Sequence, residues 1–439
     1  MPALRVAMIF GGRSVEHDVS VLTAHQAMAA LPADRFTAVP IYIARSGQWF
    51  TGDVLLDLKR FADLDALLAD AEPVLFSADP TRPGLIYQRQ QQPQERRGLF
   101  GGLSGGRGGE PAFVPVDVAF PLVHGSHGED GTLQGLFELA DLPYVGSGVA
   151  ASAVGMDKLL AKVVLRAAGL PVVDDLAVTR ARWERDADGV VAEVEARFGY
   201  PVFVKPVSLG SSIGVARAED RAALGDALEV AATYDARIMI EPAQQQIIEI
   251  NCAVLGAGGE ARPSVCEQPV SEGLLSFEDK YLPAAGGAKS GATDPAATGA
   301  KGSAVALEGV GKSQGMASAR RIIPAPLRPE LTSAIQDAAV RAFNALGATG
   351  VARVDFLVRP EDGTFFVNEI NTMPGSLSFY LWGPAGVPFP ELLASLISQG
   401  QLRQREKRRS TYTFESSLLN TNALGGTKAG VAGTTGQPT

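Results

Sequence analysis

The chain has 439 residues, enough for two or three domains at roughly 150 residues each. Its apolar fraction of 46% and charged fraction of 20% are those of a globular protein, and a formal charge of −9 argues against general nucleic-acid binding, which needs excess Lys and Arg to displace phosphate counterions. Only two cysteines occur, Cys252 and Cys266, each in an apolar stretch, so buried reduced thiols are expected rather than a disulfide framework or a Cys-rich zinc site.

The opening "MPALRVAMIFGG" meets glycine too early for a secretory leader, and no apolar run approaches the roughly 20 residues of a membrane span. A cytoplasmic location without a membrane partner is the expectation. Residues 4 to 10, "LRVAMIF", read as a buried parallel-type strand, and the next stretch as a Gly loop entering a helix. "VDVAFPLVHG" repeats strand and Gly loop, with "DGTLQGLFELADLP" as its helix, which predicts a βαβ first domain. Its ligand edge should lie at the carboxyl ends of those strands.

Helical spacing follows in "MDKLLAKVVLRAAGLP", stopped by Gly169 and Pro171. "PVFVKPVSLGSSIGVARA" then reads as strand, Gly/Ser turn and strand, and "ARIMIEPAQQQIIEINCAVLG" as two more, predicting an α+β second domain. Three stretches look poorly ordered: 88–111, the Gly/Ala-rich insert near 283–319, and the tail 401–439. The expected division is 1–145 as a Rossmann-like domain, then 146–243 and 244–400 as two further units.

"VARVDFLV" and "TFFVNEIN" form a hairpin around "RPEDG", with a three-residue loop at 361–363 and Gly363 left-handed. In that register 360 pairs with 364, 355 with 369 and 353 with 371, so Asp355, Glu369, Arg353 and Asn371 share a face. Two carboxylates and a carboxamide oxygen suit Mg²⁺ bridging nucleotide phosphates; an exposed ion-paired face is the plainer alternative.

Other features fit a nucleotide. "FVKPVSLGSSIGV" ends a strand in Lys205 and continues into a loop with Gly210, Ser211, Ser212 and Gly214, whose N–H groups can wrap phosphate oxygens, although a plain hairpin turn would look alike. Lys158 opens a helix. "IMIEPA" leads to Glu241 and Pro242, where a backbone carbonyl can read adenine, and Glu249 could hold ribose hydroxyls.

Taken in order, "GGRSVEHDVS", "HGSHGEDGTLQG", "YVGSGVAASAVGMDK", "FVKPVSLGSSIG", "SFEDKYL", "RVDF" and "NEINTMPGS" resemble the D-alanine–D-alanine ligases of the ATP-grasp superfamily over roughly residues 4 to 400. The resemblance implies an α/β and α+β protein, a Rossmann-like (pre-ATP-grasp) domain followed by a two-subdomain ATP-grasp fold. It implies ATP, two Mg²⁺ ions (Mn²⁺ as a substitute), D-alanine as substrate, and a homodimer. The carboxylate of one D-alanine attacks the γ-phosphate, and the amine of a second displaces phosphate from the acyl phosphate.

Carried over by motif, Asp355, Glu369 and Asn371 would hold the metal, and Lys158, Lys205 and Lys280 would neutralise phosphates, with Ser211, Ser212, Glu241, Pro242, Gln244 and Glu249 completing the nucleotide site. Arg353 would face the transferring phosphoryl group, and the Gly375 N–H would form an oxyanion site. Glu16, which lacks the glycine fingerprint of a dinucleotide site around it, would hold the first substrate's ammonium, linked to Ser211 and Tyr281. His124 would lie near the second substrate with Tyr380 and Leu381, while His127 would be structural or solvent-facing.

Three positions depart from the family pattern. Tyr380 stands where a serine binds the second amino acid's carboxylate; a phenol can donate one hydrogen bond, but on a longer arm. Gln244 lies in a stretch one residue longer than usual, and Asn251 replaces a frequent acidic residue. D-alanyl-D-lactate and D-alanyl-D-serine formation are the rival reactions, against which the resemblance sets the Lys280–Tyr281 pair; a non-catalytic nucleotide-binding homologue would have lost one of Asp355, Glu369, Lys205 or Arg353.

Overall fold

The computed structural model describes residues 3–88, 112–257, 259–270 and 321–412. The low-complexity stretch after Gln88, the insert at 283–319, Lys280, Tyr281 and the end of the tail lie outside them.

The first sheet has seven strands: β1 (Leu4–Gly11), β2 (Phe36–Ile43), β3 (Trp49–Thr51), β4 (Glu72–Ser77), β5 (Gly84–Tyr87), β6 (Phe113–Pro115) and β7 (Val118–Pro121). β1 is an interior strand between β2 and β7, buried on both faces as its unbroken apolar run predicts; α1 (His17–Ala30) follows it. Only β2–β1–β7 are parallel, however, and β3 to β6 extend the sheet as an antiparallel meander. The reason is loop length: the link from Ala44 to Gln48 closes a hairpin, far short of the dozen residues that a parallel crossover needs. α2 (Leu64–Asp70) precedes β4, and α3 (Thr132–Leu139) follows β7.

α4 (Val149–Met156) and α5 (Lys158–Ala167) lead to the second sheet, ordered β10–β9–β11–β8 and antiparallel throughout. It comprises β8 (Leu176–Thr179), β9 (Val202–Pro206), β10 (Ala216–Ala218) and β11 (Arg237–Pro242). β9 alternates, with Val202 and Val204 buried against α6 (Arg180–Arg185), α7 (Ala187–Arg197) and α8 (Arg221–Tyr234), leaving Phe203 and Lys205 on the other face. This core is separate from the others.

The third sheet is ordered β14–β13–β12–β15–β16: β12 (Ile248–Gly256), β13 (Arg262–Pro269), β14 (Arg321–Ile322), β15 (Gly350–Val358) and β16 (Phe365–Asn371). β11 and β12, consecutive strands in the sequence, belong to different sheets, and residues 243–247 cross between them. One face packs Ile250, Cys252, Val254, Val354 and Phe356 under α9 (Pro329–Ala345). Cys252 and Cys266 oppose each other in the β12–β13 pair as free, buried thiols.

The hairpin puts Asp355 opposite Glu369 and Arg353 opposite Asn371, as expected, but by a different route. Val358 pairs with Phe365 and Arg359 N–H bonds to Thr364 O, so the loop end is one residue out from the expected register. A bulge at Asn368 then restores the pairing, since one extra residue reverses the slip. Gly363 is left-handed, with φ 78°.

Beyond a left-handed turn at Ser376–Ser378 lie α10 (Phe379–Trp382) and α11 (Phe389–Lys407). The tail expected from 401 starts later, because α11 runs through Lys407 and is tied to the first domain. Arg403 donates to Thr349 Oγ1 (2.8 Å) and Tyr144 O (2.9 Å), Gln404 to Asp141 O (3.0 Å), and Lys407 pairs with Glu138. Ala253, Leu255, Val351, Trp382 and the apolar face of α11 share one core with β1 and α1. Among the described residues no helix is long and apolar enough to cross a membrane.

Candidate active site

The three sheets meet at a cleft of about 510 Å³, including space open to solvent, lined among others by Glu16, Glu129, Lys158, Asn368, Glu369 and Asn371. Each wall has a local origin.

Glu16 occupies the N-cap position of α1 without making a capping bond; it is 5% exposed and accepts a hydrogen bond from Ser211 Oγ. Gly125 and Gly210 leave room for it, since a Cβ on either would come within 2.6 Å or 2.9 Å of Glu16 Oε2. Ser211 and Ser212 are themselves left-handed (φ 53° and 58°), a conformation that costs energy in residues other than glycine and that turns the loop toward the cleft.

Lys158 begins α5, whose N-cap Asp157 accepts from Leu159 and Leu160 N–H. Its ammonium donates to Leu209 O in the same Gly/Ser loop. Burial lowers its pKa, and Glu369 opposes that shift without cancelling it. Lys205 projects from β9 to Asn368 Oδ1 (3.3 Å) and to Glu241 Oε2 (2.5 Å). Burial works against its charge, but Glu241 outweighs burial and the pKa rises.

Glu241, expected in the nucleotide site, turns its carboxylate into the interior. Its side chain sits between Lys205 and the fully buried Lys162, which also donates to Val173 O (2.8 Å). Burial pushes this carboxyl up, and the two ammonium groups more than reverse it. At the hinge, Ala243 N–H is already bonded to Pro201 O and Pro242 O accepts from Gln244 Nε2 at 3.3 Å. Glu249 lies on β12, close enough to help raise the Lys205 pKa. Lys162 was missed by sequence reasoning, although it lies one helical turn after Lys158 on the same face.

On the third sheet, the register aligns Glu267, Asn251, Asp355 and Glu369 in one row across β13, β12, β15 and β16. Arg353 holds Asp355 through Nε (2.6 Å) and Nη2 (2.7 Å), and Asn371 Nδ2 donates to Asp355 Oδ2 at 3.0 Å. Burial resists the Arg353 charge, but Asp355 carries its pKa well above the ordinary value. Asp355, Glu369 and Asn371 offer hard oxygen donors that fit a divalent cation, though among the described residues no group of three acidic, His or Cys side chains forms a metal cluster.

The remaining wall comes from the first domain. His124 is 3% exposed and contacts Thr23 Oγ1 at 3.0 Å; Thr23 Oγ1 also accepts from Ser376 N–H (3.2 Å) in the turn after Gly375. Burial lowers the His124 pKa to about 4, so the ring is neutral at pH 7. His127 is exposed. Leu381 is fully buried in the shared core, and Tyr380 donates to Glu267 Oε1 at 3.3 Å.

Glu129, which the sequence reading did not single out, accepts from Gly125 N–H (2.7 Å) and Met373 N–H (3.1 Å). Those bonds favour its charge, but burial and the nearby Glu16 push its pKa up to about 8. Unfolded, it would ionise near the ordinary 4.5; between that value and about 8 the native state keeps a proton that the unfolded chain has released. Stability should therefore fall as pH rises through that window. Denaturant midpoints across it should decline less steeply in Glu129→Gln than in the parent; equal slopes would reject this assignment.

Lys205 on one antiparallel sheet and Lys158 on the helix leading into it, facing the carboxylates of a second antiparallel sheet across a shared cleft, define an ATP-grasp enzyme. Residues 5–147 match the family model "D-ala D-ala ligase N-terminus", and 164–306 and 311–398 match "D-ala D-ala ligase C-terminus". The D-alanine–D-alanine ligase of Heliobacterium modesticaldum is 38% identical over 410 residues, covering 92% of this chain and 96% of its own. The solved D-alanine–D-alanine ligase of Coxiella burnetii superposes with a TM-score of 0.70 at 30% identity, over 93% of this chain and 97% of that one. The VanG D-Ala:D-Ser ligase of Enterococcus faecalis gives 0.69 at 28% identity, over 91% and 100%. The chain belongs to the D-alanine–D-alanine ligase family, and is an ATP-dependent ligase.

Proposed function

We propose that the cleft joins two D-alanine molecules into D-alanyl-D-alanine for peptidoglycan precursor synthesis, with ATP activating the first through an acyl phosphate. The supporting observation is the opposition of Lys158 and Lys205 to the Asp355–Glu369–Asn371 face, with the Glu16–Ser211 pair closing the third side. A carboxylate attacking an anionic phosphate is repelled unless cations screen both, and positioning plus charge neutralisation is what this constellation supplies.

Asp355, Glu369 and Asn371 hold two Mg²⁺ ions, or Mn²⁺ in their place, which bind and screen the nucleotide phosphates. Lys158, Lys205 and Lys280 hold the nucleotide phosphates together with Ser211 and Ser212. Glu241, Pro242 and Gln244 flank the adenine through the hinge, Glu249 its ribose, and the Glu241 carboxylate keeps Lys205 charged. Glu16 anchors the first ammonium group, with Ser211 and Tyr281. Arg353 and the Gly375 N–H stabilise charge on the transferring group. His124 faces the second amino acid, near Tyr380 and Leu381. The enzyme works in the cytoplasm as a homodimer, its domains divided near residues 145 and 243.

Incubation with ATP, Mg²⁺ and D-alanine alone should release phosphate and yield D-alanyl-D-alanine by mass. Phosphate release only when D-lactate or D-serine is added would keep the ligase mechanism and overturn the acceptor.

A further inference from the structure

α5 carries Lys158, Lys162 and Arg166 four residues apart, and so on one face of the helix. Lys158 lines the cleft and the Arg166 side chain is 40% exposed at the far end, whereas Lys162 between them is 1% exposed. An ammonium so far from water is costly unless it is well partnered. Its partners are Val173 O (2.8 Å), Glu241 Oε1 and, at 3.8 Å, Asp175 Oδ1. Burial lowers the Lys162 pKa, and both carboxylates work against that shift.

These contacts belong to a longer chain of alternating charge. Arg166 pairs with Asp175, Asp175 lies beside Lys162, Lys162 pairs with Glu241, and Glu241 pairs with Lys205 through its other oxygen (2.5 Å). Lys205 donates in turn to Asn368 Oδ1 (3.3 Å), and Asn368 lines the cleft. The chain therefore runs from the protein surface to the cleft wall and has a cation at each end.

The middle cation decides what the cleft feels. A Lys205–Glu241 pair alone is neutral, and its field on an anion in the cleft largely cancels. Lys162 sits on the opposite oxygen of the same carboxylate and offsets that negative charge from behind. In a buried setting a charge a few residues deep is weakly screened, so the balance reaches the cleft. Lys162 also occupies Oε1, which leaves Lys205 one carboxylate oxygen and lets its ammonium turn toward Asn368.

We propose that Lys162 is a positioning residue for nucleotide binding: by neutralising Glu241 from behind, it leaves Lys205 with a net positive charge toward the ATP phosphates, which Lys162 itself never touches. This rests on the reading of Lys205 as a phosphate-binding residue and adds the group on which its effective charge depends.

The test uses the full chain, with the parent, Lys162→Met, Lys162→Met/Glu241→Gln and Lys205→Met compared by their apparent constants for ATP and D-alanine, by calorimetric titration with Mg-ADP, and by unfolding midpoint. Lys162→Met should weaken both nucleotides about tenfold and leave the D-alanine constants within about twofold. The double variant removes one charge of each sign, and Lys205 keeps Glu369 and Glu249 to support its own, so nucleotide binding should return to within about threefold of the parent. A residue that only filled space would leave the double variant no better than Lys162→Met. Unchanged nucleotide binding in Lys162→Met, or a double variant as weak as the single, would overturn the inference. If Lys162→Met does not fold, the double variant against the parent decides on the same threefold criterion. Lys205→Met separates the two readings: if it leaves nucleotide binding level, the phosphate role of Lys205 fails and takes the inference with it, whereas weakened binding there beside a normal Lys162→Met puts the failure on Lys162 alone.

Discussion

Glu369→Gln should lower ATP-dependent product formation by at least about a hundredfold while leaving the unfolding midpoint close to that of the parent. The substitution keeps size and hydrogen-bonding capacity but deletes one negative charge from the half-buried face that Glu369 shares with Asp355 and Asn371. Lys158 depends on Glu369 for part of its remaining basicity, so the change also weakens a cation on the opposite wall. Phosphate release and circular dichroism on the same preparation separate loss of chemistry from loss of fold. A variant turning over within a few-fold of the parent would remove the metal role from this face.

The largest effect on stability should come from Glu241→Ala. It leaves Lys162 and Lys205 facing each other without their shared counter-charge, and Lys162 is 1% exposed. Breaking a buried pair by removing one partner costs about 3–5 kcal/mol when the remaining charge is left uncompensated, and Asp175, 3.8 Å from Lys162 Nζ, offsets part of that here. Denaturant unfolding should show this loss, and adding Lys162→Met should recover part of it, as an uncharged chain fills the same space. An unfolding midpoint equal to the parent's would mean that the two lysines reach water without help.

Pairing across the β15–β16 hairpin was legible because side-chain alternation is local. The expected register erred by one residue at the loop, and the Asn368 bulge cancelled the error at Asp355 and Glu369. That cancellation is also why Asn368 reaches the cleft beside Glu369, which strict alternation forbids. Glu241 was read through its backbone, as part of an adenine hinge. Its side-chain partner Lys162 lies 79 residues away, beyond the reach of any spacing rule. Likewise the apolar pattern of α11 fades after Ile397, and what carries the helix on to Lys407 is a set of polar ties to residues more than 250 positions earlier. In the first domain, the strand–loop–helix signals around β1 and β7 were genuine, but the short strands between them carried no mark of their direction.

Three sheets do not make three independent bodies. The four-stranded sheet has an interior of its own, whereas the five-stranded sheet packs one face under α9 and shares the other, with α11, in one core with β1 and α1. The carboxylate-bearing sheet and the domain at the opposite end of the sequence therefore supply each other's dry surface, so neither keeps a complete interior without the other. A volume change in that shared interior would thus be felt at both ends of the chain.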